Sequence, residues 1–165
     1  STYIWKPRRP DDSHALPHLV ESVVLLACGG VIQPSEEFDE ALHNVFDIEA
    51  SDEEHLNYVR QVFFASGNDA SVWFDGWHGV VAYFQGQATK AEDVRRWWGA
   101  RTARIHIVQP VEDVIAVPKN GQLILEEFGD RSSMDLIPDA GHALLPEQPA
   151  AVAESVIKWL RRTNP

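Results

Sequence analysis

Residues 19–27 (LVESVVLLA), followed by Cys28 and the pair Gly29 and Gly30, form a near-continuous apolar run that is β-branched at its centre. A strand buried on both faces reads this way, and parallel sheets produce such strands. Two shorter runs follow much later, at 103–109 (ARIHIVQ) and 134–137 (MDLI), closed by Pro110 and Pro138. Helical patterning fills the chain between them. The chain is therefore expected to be α/β and three-layered, with a short parallel sheet flanked by helices.

The helical stretches can be placed from their spacing. Phe38, Leu42, Val45 and Phe46 recur at helical intervals after Pro34, with Ser35 as the candidate cap. Ser51 and Glu54 form a capping box, and Leu56, Val59, Val62 and Phe63 then share one face. Gly67, Asn68 and Asp69 break the chain, and residues 73–85 are rich in aromatics. Thr89 and Glu92 predict a second capping box leading into Arg95, Arg96, Trp97 and Trp98. Three or four helices thus separate the first strand from the second, which exceeds a simple crossover. Pro118 is expected to open the next helix, and residues 122–128 read as a short helix stopped by Gly129. Residues 149–162 form the last helix, with Val152, Val156, Ile157 and Leu160 inward and Arg161 and Arg162 at its negative end.

The third run leads into a tight loop carrying Gly141 and His142, then a Pro-opened amphipathic helix. A histidine just past the C-terminal end of a strand sits on the rim where open α/β sheets bind ligands. Gly141 lets the backbone turn sharply before it.

Three segments carry a family likeness. Gly141 to Pro149 (GHALLPEQP) has the form G-H-x-x-x-x-E-x-P. Gln109 to Pro118 has the form Q-G-x-x-D-x-x-x-x-P, with Pro110 in place of the glycine. Pro17 to Ala27 has the form P-x-L-V-x-x-V-V-L-L-A. In this order and spacing the chain, from about residue 18 to 162, resembles the α/β-hydrolase superfamily. The resemblance implies that Asp113 is the acid of a catalytic triad and His142 its base. It also implies that residues 34–100, about, are the helical cap which that family inserts over its active site. The expected organisation is an irregular N-terminal arm over 1–17, in which Tyr3, Ile4 and Trp5 form a short strand or tuck against a partner, and an α/β-hydrolase-like domain over 18–165.

An aspartate of this kind fixes the imidazole tautomer and stabilises the imidazolium, while the histidine takes and returns a proton. The plain alternative is that Asp113 caps a turn and His142 is a satisfied loop histidine. Neither G-x-S-x-G, with Ser, Cys or Asp at its centre, nor an H-G-G-G loop occurs in the sequence. The chain accordingly resembles the C-terminal part of a hydrolase, without the nucleophile elbow. Cys28, at the end of a strand on the same rim, is the candidate replacement nucleophile. Its alternative is a small buried core residue. Trp73, Trp77, Trp97 and Trp98 either line an apolar substrate pocket beneath the cap or fill the cap's own core.

Composition excludes several classes. A formal net charge of −11 disfavours nucleic acid and anionic membrane surfaces. The single cysteine rules out an intramolecular disulfide and suits a reducing cytoplasm. The N-terminal residues carry no hydrophobic signal region, and no apolar run approaches a membrane span. His14, His18, His43, His55, His78 and His106 lack metal-ligand spacing, so no metal and no cofactor are expected. The first strand is expected to leave an uncovered sheet edge, and a homodimer through that edge would bury it. Two functions remain: hydrolysis of a small, apolar, ester-like substrate, or a catalytically silent hydrolase remnant serving as a dimeric binding module.

Overall fold

The computed structural model describes residues 20–163. The arm read over residues 1–17, with His14, and the positions His18 and Leu19 lie outside the described residues. Three parallel strands make one sheet in the order β1-β2-β3. They are β1 (Ser22–Leu26), β2 (Arg104–Pro110) and β3 (Ser132–Ile137). Ser22 sits beside Arg104 and Leu26 beside Val108, while Ile105 sits beside Ser132 and Pro110 beside Ile137. Helices α4 (Lys119–Glu127) and α6 (Pro149–Thr163), the latter preceded by the one-turn α5 (Leu144–Glu147), complete the α/β order.

The strand period of two sorts the side chains onto opposite faces. Val23, Leu25, Ile105, Ile107 and Met134 meet Leu123 and Ile124 of α4 on one face. Val24, Leu26, Val108 and Ile137 meet Val152 and Val156 of α6 on the other. These are the three layers that the runs of apolar residues predict. Ile105 and Ile107 are completely buried, and each such side chain stabilises the fold by about 1.5–3 kcal/mol. The inward stripe of α6 is narrower than its apolar residues suggest. Ile157 and Leu160 are exposed, and Ser155 and Trp159 are buried in their stead, because both of these reach His106 on the sheet.

The reading of a strand buried on both faces fits β2, which is buried from Ile105 to Pro110. It does not fit β1, whose five residues are all half-buried, because among the described residues β1 pairs on one side only. The strand is also shorter than the apolar run. Ala27, at φ 48°, enters the left-handed region that turns the chain out of the sheet, although its N–H still reaches the Val108 carbonyl at 3.0 Å.

Between β1 and β2 lies a helical insertion made of α1 (Glu36–Asn44), α2 (Asp52–Phe63) and α3 (Gly79–Ala91), with 3-10 turns at Ala70–Trp73 and Val94–Arg96. Ser35 takes the cap position of α1 without a side-chain hydrogen bond, whereas the capping box of Ser51 and Glu54 forms in full. The second capping box is corrected. Thr89 falls in the last turn of α3, where its hydroxyl donates to the Gln85 carbonyl, and Glu92 is the residue that ends the helix. Asp93 caps the following turn instead, accepting from Arg95 N–H. The short helix read from residue 122 begins earlier, at Lys119, one residue after Pro118.

The insertion has a core of its own, built from Ala41, Val45, Val59, Val62, Phe63, Phe64 and Ala70. That core also takes in Ala143, next to His142, and Ile115 of the Asp113 loop. The insertion is therefore packed directly onto both rim loops. No helix among the described residues is long and apolar enough to cross a membrane.

Candidate active site

β2 and β3 end side by side, and each delivers one loop to the same rim. Past Pro110, Val111 N–H donates to the Ile137 carbonyl and Glu112 N–H to the Ala140 carbonyl, at 2.9 and 3.0 Å. The two loops are thus laced together by their backbones before any side chain is considered. Pro110, where the resembled pattern has glycine, pairs within the ladder as the last residue of β2.

Asp113 is 3 % exposed. Its Oδ1 accepts from the N–H groups of Ile115 and Ala116, at 2.9 and 2.7 Å. Its Oδ2 lies 2.9 Å from His142 Nδ1. A carboxylate only accepts, so Nδ1 carries the proton and donates. One Asp113 oxygen thus caps the turn and the other meets the His142 ring. That tautomer leaves a lone pair on Nε2, which meets no hydrogen-bond partner among the described residues. The ring is half-buried and lies 5.8 Å, centroid to centroid, from Phe63 at the end of α2. A general base requires this combination of a fixed ring, one occupied nitrogen and one available nitrogen.

The other sequence candidates fall elsewhere. Cys28 is 2 % exposed, and its thiol donates to Gln109 Oε1 at 3.4 Å. Burial, chiefly, and the nearby Asp113 charge push its pKa up to about 12, against a lowering by a backbone hydrogen bond. A nucleophilic cysteine is partly exposed and has a depressed pKa, so the geometry is that of the core alternative. The four tryptophans do not form one lining. Trp97 and Trp98 pack with Cys28, Ile105 and Ile124 on the α4 face of the sheet, because Gly30 leaves room for the Trp98 indole: a Cβ there would lie 2.2 Å from it. Trp73 and Trp77 belong to the insertion's core, with ring centroids 5.7 and 5.2 Å from Phe63. Only this pair approaches His142, through Phe63.

Three further residues, to which the sequence pattern alone gives no role, have structural leverage on the rim. Gln109, fully buried, accepts from Cys28 N–H at 3.2 Å and donates to the Ala116 carbonyl at 2.6 Å. Asn120, also fully buried, accepts from Val31 and Ile32 N–H at 3.0 and 2.8 Å. Glu147 binds both the histidine loop and the insertion. The sequence signal for Gln109 is its place in the apolar second run, whereas nothing in the pattern around Asn120 marks it. The signal for Glu147 was its place in the histidine motif. Among the described residues no group of three or more His, Cys, Asp or Glu could hold a metal ion.

No protein-family model and no curated protein matches the sequence. Solved structures do match. A membrane phospholipase A, described as a bacterial virulence factor, shares 14 % identity with a TM-score of 0.66 over 92 % of this chain and 52 % of its own. A hydrolase from Oleispira antarctica shares 19 % at 0.63 over 88 % and 59 %. A thermophilic esterase from Thermogutta terrifontis shares 20 % at 0.61 over 88 % and 57 %. The chain thus spans between half and three-fifths of the length of these structures. What the likeness establishes is the fold: the described residues adopt part of an α/β-hydrolase fold.

Proposed function

We propose that this chain supplies the acid and base of an α/β-hydrolase acting on a small, apolar, ester-like substrate. The observation that carries the reading is the Asp113–His142 hydrogen bond of 2.9 Å, with the other Asp113 oxygen held by two backbone N–H groups and Nε2 left available. In this reading Nε2 takes the proton from an attacking hydroxyl, and Asp113 stabilises the imidazolium that results. The proton then passes from Nε2 to the departing alkoxide, and a water molecule repeats the cycle to release the acid. In this reading the nucleophile is supplied by a partner segment or is unconventional, and the Cys28 thiol, buried and donating to Gln109, is not placed to serve. The helical insertion serves as the cap, and Trp73 and Trp77, behind Phe63, give the substrate side its apolar character. The esterase and phospholipase names among the structural neighbours agree with ester chemistry.

A second reading, a catalytically silent dimeric binding module, draws support from β1. Its outer edge has no strand partner among the described residues, and such an edge invites pairing with a second copy. A light-scattering mass of a monomer at micromolar concentration would remove that support. The hydrolase reading is tested by turnover of short-chain p-nitrophenyl esters by the chain and by its His142→Ala variant. Turnover abolished in the variant is the expected result. Equal rates in both would overturn the reading.

A further inference from the structure

We propose that Glu147 is a positioning residue that clasps the His142 loop to the helical insertion, so that the imidazole and the insertion are placed by one carboxylate. The proposal rests on the reading of His142 as a base. Glu147 Oε1 accepts from Ala65 N–H and from Asn68 Nδ2, both at 2.7 Å, and Oε2 accepts from Gly141 N–H at 2.8 Å. Ala65 and Asn68 follow directly on α2, and Gly141 immediately precedes the histidine. One side chain on α5 therefore joins two segments more than seventy residues apart in sequence.

The surrounding contacts point the same way. Ala143 N–H donates to the Phe63 carbonyl at 2.7 Å, so the histidine is bracketed by two links to the end of α2. A Cβ on Gly141 would lie 2.7 Å from the Phe63 carbonyl oxygen and 2.9 Å from Ala65 N, which are backbone atoms that cannot swing aside. The two backbones are in direct contact there, and glycine is what permits it. Asn68 and Gln148 amides also both donate to the Asp139 carbonyl, at 3.0 and 3.1 Å, where the chain turns through φ 53°. On its opposite side the loop is laced to the Asp113 loop. The imidazole thus hangs between a fixed aspartate and a clasp from α5 that holds its loop to the insertion.

The two oxygens have separate duties, which makes the test sharp. Glu147→Ala releases both segments. Glu147→Gln keeps one oxygen, so it can serve Ala65 or Gly141 but not both. Hydrogen exchange and imidazole NMR on the full chain read this without any turnover. In Glu147→Ala, the Ala65 and Gly141 amides and the His142 Nδ1 proton are expected to exchange at least about tenfold faster, while the Ile107 amide in β2 keeps its protection. In Glu147→Gln, one of the two amides is expected to stay protected. If the chain cleaves esters, kcat in Glu147→Ala is expected to fall about tenfold or more with KM little changed, the signature of a misplaced base. An His142 ring proton that exchanges no faster in Glu147→Ala would overturn the proposal. So would loss of Ile107 protection in both variants, which would make Glu147 a general stability residue. The clasp result without any ester cleavage by the parent chain would stand while the hydrolase reading fell.

Discussion

Asp113 serves two groups with two oxygens, and a pair of substitutions separates them. In Asp113→Asn the side-chain amide would keep one carbonyl oxygen for Ile115 and Ala116 N–H, whose bonds of 2.9 and 2.7 Å are the shorter-range constraint on rotamer. The NH2 group of that amide would then face His142 Nδ1, which lies 2.9 Å from a carboxylate oxygen in the unaltered chain. Two donors cannot share that gap, so the imidazole must move its proton to Nε2 and lose the lone pair a base needs. The Asp113→Asn variant exchanges a hydrogen bond to a charged group for a neutral one, at about 1 kcal/mol. Asp113→Ala also orphans two backbone N–H groups, one of them on buried Ala116, at about 1–3 kcal/mol each. At about 2–4 °C per kcal/mol for a domain of this size, Asp113→Ala should melt at least roughly 4 °C below Asp113→Asn. Ester turnover, if the reading holds, should fall in Asp113→Asn by about 10⁴-fold, since the geometry survives but the tautomer does not. Calorimetry gives the first comparison, and nitrogen chemical shifts of the imidazole give the tautomer directly. Equal melting of the two variants would refute the capping argument. An Nε2 without a proton in Asp113→Asn would refute the tautomer argument.

The remaining expectations are of two kinds. Cys28, with its pKa pushed up to about 12, should resist alkylation at pH 8, where only about one thiol in 10⁴ is ionised, and should label stoichiometrically once guanidinium unfolds the chain; rapid labelling of the folded chain would contradict its burial. His106, stacked on Trp159 at 5.2 Å, bonds Ser133 and Ser155 hydroxyls at 2.9 and 2.8 Å, and burial, ahead of the opposing Asp135 charge, holds its pKa below the ordinary value. A depressed histidine pKa means the unfolded chain binds more protons below about pH 6.5, so this contribution to stability is complete above that pH and is lost as pH falls through the folded value. Chemical denaturation between pH 7.5 and 5 should show a shallower pH slope in His106→Gln than in the unaltered chain, and identical slopes would refute the assignment.

Much of the fold was legible because its signals are local. A buried strand needs consecutive apolar residues, and a rim loop needs Gly or Pro at a turn, so β2, β3 and the His142 loop could be placed from neighbouring residues, whereas Asp113 was picked out by the likeness of its loop to a family pattern. The half-burial of β1 could not, since it depends on what lies across the sheet edge. Thr89 and Glu92 failed for a related reason: the capping-box pattern describes two side chains and not the helix phase, and α3 was already under way. The tryptophans show the limit of composition. Trp97 and Trp98 are as apolar as Trp73 and Trp77, but which core receives them is decided by the space over Gly30, a contact across some seventy residues. Asn120 was hidden because the N–H groups it satisfies lie more than eighty residues away, as does the Cys28 N–H that Gln109 accepts from, and no periodicity records such a bond.

Together with Asp113 and Glu147, these two residues explain how loops that leave the sheet remain ordered enough to hold a base. Past its last ladder rung a strand has no neighbour to satisfy its N–H groups, and buried donors left unpaired are costly. Here side-chain oxygens replace the missing neighbour: Gln109 for the chain at Cys28, Asn120 for Val31 and Ile32, Asp113 for Ile115 and Ala116, and Glu147 for Ala65 and Gly141. Each of these acceptors is anchored on a helix or beside a strand end, so the loops inherit the rigidity of the layers beneath them. Replacing His142 costs its Nδ1 bond to Asp113 and its ring contact with Phe63. Losing Asp113 or Glu147 instead releases two backbone N–H groups at once, and that asymmetry is what a base held ready for a proton requires.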